Sequence, residues 1–157
     1  QRIPMMVRLP EPLRPEGYEA GTVGENFASL ADLHPTILDF ADADLDPRSV
    51  HGRSLRPLVE SRPVAWRDAV FVEFYGLGHV PGCLYTVRKD DWKYGWNAAG
   101  ADELYNLSAD PYEMHNRAKD PDCAERVRDF KQLLLDWMEE TGVPGVHTYR
   151  GAFGLPR

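Results

Sequence analysis

Cysteine is scarce: among 157 residues only Cys83 and Cys123 carry a thiol. Two thiols cannot make a disulfide framework, so the fold must rest on a hydrophobic core. No apolar run approaches the roughly 20 residues that a membrane-spanning helix needs. Positive charge is the minority sign, with 18 Lys+Arg against 25 Asp+Glu and a formal net charge of −7. Without a Lys/Arg cluster, neither a nucleic-acid surface nor an anionic-membrane surface is expected, because both need cations facing phosphate. What the chain does have is 43% apolar residues, distributed along its whole length. That is enough for a core of ordinary size and argues against global disorder.

The chain opens on Gln1-Arg2-Ile3-Pro4 with no initiator Met and no leader-like segment. It enters an apolar run at once, from which we expect a portion of a longer protein. Ile3 to Leu9, closed by Pro10 and Pro12, lacks alternation and predicts a strand covered on both faces. After a Pro- and Gly-rich loop, the stretch from Phe27 to Phe40 turns helical. Ser29 and Asp32 form a capping-box pattern, Pro35 fits the first turn, and Leu33, Ile37 and Phe40 share one face. A further short helix is expected over Ser54 to Glu60.

From Ala69 the period drops to two. Val70 to Tyr75, Leu84 to Lys89, Trp92 to Trp96 and Glu103 to Leu107 read as four strands, with Asp90-Asp91 as a two-residue turn. Asp120, Pro121 and Asp122 then open the longest helix, whose stripe runs Val127, Phe130, Leu134, Trp137, Met138 and Thr141. Gly142 and Pro144 stop it. This stripe is expected to cover one face of an antiparallel meander. The tail from Gly145 to Arg157 reads as poorly structured unless something else holds it.

Several segments imitate functional motifs and fail on their chemistry. Asp42-Ala43-Asp44-Leu45-Asp46 starts like a calcium loop, but Pro47 stands where Gly is needed and Arg53 where a bidentate Glu is needed. Gly76-Leu77-Gly78-His79-Val80-Pro81 resembles a dinucleotide fingerprint, yet Pro81 replaces the third Gly and a strand follows instead of a helix. Gly52-Arg53-Ser54-Leu55-Arg56 fails as a nucleophile elbow at its last position. The five His residues show no metal-ligand spacing. Cys123 falls in a helix first turn without an evident base, so both thiols read as small apolar residues. The remaining candidates are Tyr75 and His79, on the Gly-rich loop between the first two strands of the meander, where side chains reach a cleft mouth. We identify no catalytic residue and no metal ligand.

Read together, the motifs resemble the C-terminal part of type I sulfatases, of the alkaline-phosphatase superfamily. Arg2-Ile3-Pro4, Ser29-Leu30-Ala31-Asp32-Leu33-His34-Pro35-Thr36-Ile37-Leu38, Gly52-Arg53-Ser54-Leu55-Arg56-Pro57-Leu58 and Trp66-Arg67-Asp68 occur in that family's order. They are followed by Phe71-Val72-Glu73, Glu103-Leu104-Tyr105-Asn106-Leu107 and the Trp137 to Gly142 helix end. The resemblance implies an α+β chain. Residues 1–65 would be the last strand and helix of a large α/β domain. Residues 66–144 would be a four-stranded antiparallel sheet packed by a long C-terminal helix, and 145–157 a tail.

The resemblance also implies hydrolysis of sulfate esters by a formylglycine made within a Cys-x-Pro-Ser/Thr-Arg signature, assisted by calcium. Neither Cys83-Leu84-Tyr85 nor Cys123-Ala124-Glu125 fits that signature. Calcium, formylglycine and the catalytic groups are therefore expected in an N-terminal catalytic segment of the same protein. That segment is the expected partner of this chain, and a small sulfate ester the expected substrate. On this view the chain alone is inactive, and its uncovered apolar surface favours homo-oligomers. Two alternatives remain open. One is a phosphonate or phosphate ester hydrolase of the same architecture; the other is a stand-alone, non-catalytic binding or assembly module.

Overall fold

The computed structural model describes residues 3–76 and 83–155. The chain forms two compact units, Gln1–Arg67 and Asp68–Arg157.

The first unit carries α1 (Leu33–Phe40), α2 (Arg56–Val59) and short 3-10 turns at Glu11–Leu13, Leu30–Asp32 and Pro47–Ser49. Ser29 caps as expected: its hydroxyl accepts from the Ala31 N–H while the Asp32 carboxylate reaches back to the Ser29 N–H. Pro35 sits in the first turn of α1, where its missing N–H breaks no helical bond.

One expectation needs correction. Residues 3–9 form no strand, and of this run only Leu9 is fully buried, with Met6 94% exposed. A strand exists only through a neighbour's ladder, and among the described residues this unit contains no strand to pair with. The helical face of Leu33 and Ile37 is turned outward, Ile37 being 66% exposed, in keeping with the uncovered apolar surface expected of this chain. The buried positions of α1 are Pro35 and Thr36, because the helix closes on a polar junction at its start rather than on its apolar stripe.

The second unit is an antiparallel meander of β1 (Ala69–Phe74), β2 (Leu84–Lys89), β3 (Trp92–Asn97) and β4 (Glu103–Asn106), in the order β1-β2-β3-β4. The register places Glu73 opposite Tyr85, Val87 opposite Tyr94, and Tyr94 opposite Leu104. Asp90 turns the β2–β3 hairpin with φ +51°, a left-handed conformation that Asp tolerates better than most residues. Alternation sends Tyr85, Val87, Tyr94, Trp96 and Leu104 to one face.

That face is covered by α3 (Ala124–Glu140), through Phe130, Leu134, Leu135 and Met138. Phe71 stacks on Trp137 at 4.9 Å and Tyr94 on Phe130 at 6.0 Å. Asp120 caps the N-terminal turn by accepting from the Asp122 N–H. At the other end Gly142 adopts φ +71°, and the Gly142 and Val143 N–H groups bond back to the carbonyls of Glu139 and Met138. Cys123 is buried in this core, as its reading as a small apolar residue requires.

The expectation of a loose tail is also corrected. Residues Val146–Ala152 form a further helix, α4, after Gly145 at φ +74°. Tyr149 stands edge-on to Trp96 at 5.7 Å, and Phe153 is buried against Trp96 at 5.1 Å. The tail is held because two aromatic rings find places in the core of the sheet.

Candidate functional site

A polar junction in the first unit brings three sequence motifs together. Asp32 is fully buried, and each of its carboxylate oxygens accepts two hydrogen bonds. Oδ2 accepts from the Ser29 N–H at 2.7 Å and Arg67 Nη1 at 3.0 Å. Oδ1 accepts from the Arg53 N–H at 2.8 Å and Arg67 Nη2 at 2.6 Å. Beside it, the Thr36 hydroxyl donates to the Asp32 carbonyl and accepts from the Leu55 N–H at 2.8 Å. Gly52 passes so close that a Cβ there would lie 2.0 Å from the Ala31 carbonyl oxygen. Trp66 Nε1 donates to the Phe27 carbonyl at 2.7 Å.

A carboxylate has about four lone-pair sites, and here all four are taken. Asp32 therefore has no capacity left for a metal, a proton relay or a substrate; it fastens the 29–32, 52–55 and 66–67 segments to one another. Asp39 is committed similarly, to Ser54 and to Arg56, whose guanidinium also binds Glu60 at 2.8 Å. The titratable side chain lining the open depression of about 340 Å³ among Pro35, Leu45, Val50 and Ser54 is Asp39, already paired with Ser54 and Arg56.

The second unit holds the candidate that sequence reading singled out. Tyr75 follows β1 directly, before Gly76 turns the chain with φ +83°. The residue is 60% exposed, while its hydroxyl has two polar neighbours. It donates to Glu73 Oε2 at 2.9 Å and lies 3.1 Å from the Tyr85 hydroxyl. Tyr85, fully buried, donates to the Tyr149 hydroxyl of α4 at 3.2 Å. The rings of Tyr75 and Tyr149 both meet Tyr85 edge-on, at 6.1 and 5.3 Å. His79, the other candidate, lies outside the described residues.

Sequence reading missed Glu73, Tyr85 and Tyr149. Glu73 was within reach, since period two puts it on the same side as Tyr75, and the hairpin register puts Tyr85 opposite it. Nothing local signals Tyr149, which arrives through α4.

The electrostatics keep the phenols of this cluster neutral. Burial, with hydrogen bonds to Tyr149, Tyr75 and Cys83, raises the Tyr85 phenol far above the ordinary tyrosine value. The Tyr85 hydrogen bond pulls the Tyr75 phenol down, while partial burial and the Glu73 carboxylate push it up; the net shift is upward. Both phenols stay protonated at neutral pH and offer hydrogen bonds, not a base.

The residues do not fit the groups that the resemblance implies. Among the described residues no three His, Cys, Asp or Glu side chains are grouped to hold a metal ion. Cys83 and Cys123 lie outside any formylglycine signature. We accordingly derive no step through calcium or formylglycine.

Comparison with known proteins agrees with this architecture. The family model described as "N-sulphoglucosamine sulphohydrolase, C-terminal" matches residues 1–140. An N-acetylglucosamine-6-O-sulfatase of Bacteroides thetaiotaomicron is 30% identical over 147 residues, covering 89% of this chain and 25% of the relative. Arylsulfatase K of Homo sapiens is 35% identical over 147 residues, covering 85% of this chain and 26% of the relative. Among solved structures, the phosphonate monoester hydrolase of Agrobacterium radiobacter superposes with a TM-score of 0.66 at 31% identity. That superposition covers 75% of this chain and 26% of the hydrolase. The chain thus spans about a quarter of the length of these relatives. With a family model over residues 1–140 and a four-stranded antiparallel sheet under a long helix, the chain belongs to the sulfatase family, as its C-terminal portion.

Proposed function

We propose that this chain completes the fold and the substrate-pocket rim of a sulfuric ester hydrolase whose nucleophile and metal ligands lie in an N-terminal catalytic segment of the same protein. The observation that carries this reading is the saturation of Asp32 by four donors inside the junction of the family motifs. The polar residues by which the family is recognised here are consumed in holding loops together, which leaves them a supporting role. The outward face of Leu30, Leu33 and Ile37 on and before α1 supplies the apolar surface on which the catalytic segment would pack. Tyr75, together with His79, belongs to the pocket rim in this reading. Calcium and formylglycine belong to the catalytic segment, and the substrate is a small sulfate ester.

A second reading changes the ester. The likeness to a phosphonate monoester hydrolase, at 31% identity, favours a phosphonate or phosphate ester within the same architecture. The two are separated by steady-state turnover of the full-length protein on an aryl sulfate and on an aryl phosphonate monoester. Preference for the sulfate, measured as kcat/KM, is the expected result. Preference for the phosphonate ester transfers the proposal to the second reading, and turnover of neither contradicts both.

A further inference from the structure

The C-terminal helix is built like a strap. It follows Gly142 at φ +71° and Gly145 at φ +74°, two left-handed positions with Pro144 between them. At seven residues α4 is too short to persist alone in water, so it is helical only while docked. Docking rests on Phe153 against Trp96 at 5.1 Å, on Tyr149 edge-on to Tyr85 at 5.3 Å, and on the surface ion pair of Arg150 with Glu139 at 3.0 Å. The strap lies beyond residues 1–140, the stretch that the family model matches.

A tyrosine hydroxyl carries one proton and can donate only once. The Tyr85 residue is fully buried, and its hydroxyl has two oxygen neighbours that could accept: Tyr149 of α4 at 3.2 Å and Tyr75 at 3.1 Å. The Cys83 thiol beside it is a weaker acceptor. With α4 docked, Tyr85 donates to Tyr149, while Tyr75 donates to Glu73 Oε2 at 2.9 Å. When α4 lifts, Tyr149 leaves with it. A buried hydroxyl without a partner is costly, but here the Tyr85 proton can turn to the Tyr75 oxygen. The result is a chain from Tyr85 through Tyr75 to Glu73, in which each bond strengthens the next.

We propose that α4 is a hinged strap released by a hydrogen-bond switch, in which Tyr149 and Tyr75 compete for the single proton of Tyr85. The docked strap draws that proton to the C-terminal helix; the open strap hands it to the end of β1. Tyr75 is thus the release partner, since it spares Tyr85 a stranded hydroxyl when the strap opens. The switch goes beyond the hydrolase reading and works whichever ester the full-length protein cleaves.

The test is hydrogen–deuterium exchange of the full-length protein, read by mass spectrometry on peptides from α3 and α4. In the wild type, α4 amides should exchange through an opening that depends weakly on urea, and α3 amides through one that depends steeply. Tyr75→Phe removes the competing acceptor and strands Tyr85 in the open state, so α4 protection should rise about threefold or more. Tyr149→Phe alone should leave α4 protection unchanged, because Tyr85 then donates to Tyr75 in both states. Combining the two substitutions should abolish the gain seen in Tyr75→Phe, a non-additivity that independent anchors would not produce. Protection that is unchanged or lower in Tyr75→Phe, or that falls in Tyr149→Phe alone, overturns the switch. Equal urea dependence of α3 and α4 in the wild type overturns the strap itself.

Discussion

Asp32 shows how one residue can join three stretches of chain that are remote in sequence. The capping box with Ser29 was legible, because Ser and Asp three apart before a helix have a local meaning. The pairing with Arg67, 35 positions away, was not, since no local pattern announces it. Truncating a buried partner leaves the other charge stranded. Asp32→Ala should therefore cost about 3–5 kcal/mol in urea unfolding followed by the helical signal of the first unit. A loss under about 1 kcal/mol would show that the four bonds are not a structural hub.

The buried phenols give a second residue-scale expectation. Burial, then the Asp102 carboxylate at 2.8 Å, raises Tyr94 far above its ordinary value of 10.0, and Tyr85 is raised mainly by burial. A phenol whose folded value lies above its unfolded one adds stability that is intact below pH 10.0 and lost as pH rises further. In an alkaline titration of the seven tyrosines, Tyr85 and Tyr94 should ionise only as the fold is lost. All seven phenolates appearing together, reversibly and with secondary structure intact, would contradict this.

At the scale of elements, the meander was readable almost to the residue. Alternation fixed β2 at Leu84–Lys89 and the Asp90-Asp91 turn fixed its pairing with β3, because period two and turn chemistry are local properties. The stripe of α3 was readable for the same reason. Residues 3–9 misled because an apolar run states only a tendency to be covered, and a strand additionally needs a neighbour. The helix α4 was illegible because Tyr149 and Phe153 gain their places only in the assembled core. The same limit explains the site: Tyr75 was found from its loop, whereas Tyr149 was not. Phe153→Ala should cost about 3–5 kcal/mol in denaturant unfolding of the second unit, as for other buried Phe truncations. A change of less than about 0.5 kcal/mol, the size expected for an exposed position, would show that α4 is not anchored there.

The whole molecule is a C-terminal sulfatase portion about a quarter of its relatives' length, with its recognisable polar residues spent on architecture and a tethered tyrosine at the strand end. Removing an activated nucleophile and its electrostatic stabilisers typically costs several powers of ten in rate. The most direct measurement is turnover of an aryl sulfate by this chain alone, by the preceding segment of the gene alone, and by the two co-expressed. The account predicts no turnover above a boiled control for the chain, little for the preceding segment, and restored activity when both are present. Turnover by the chain alone, or full activity of the preceding segment without it, would contradict the account.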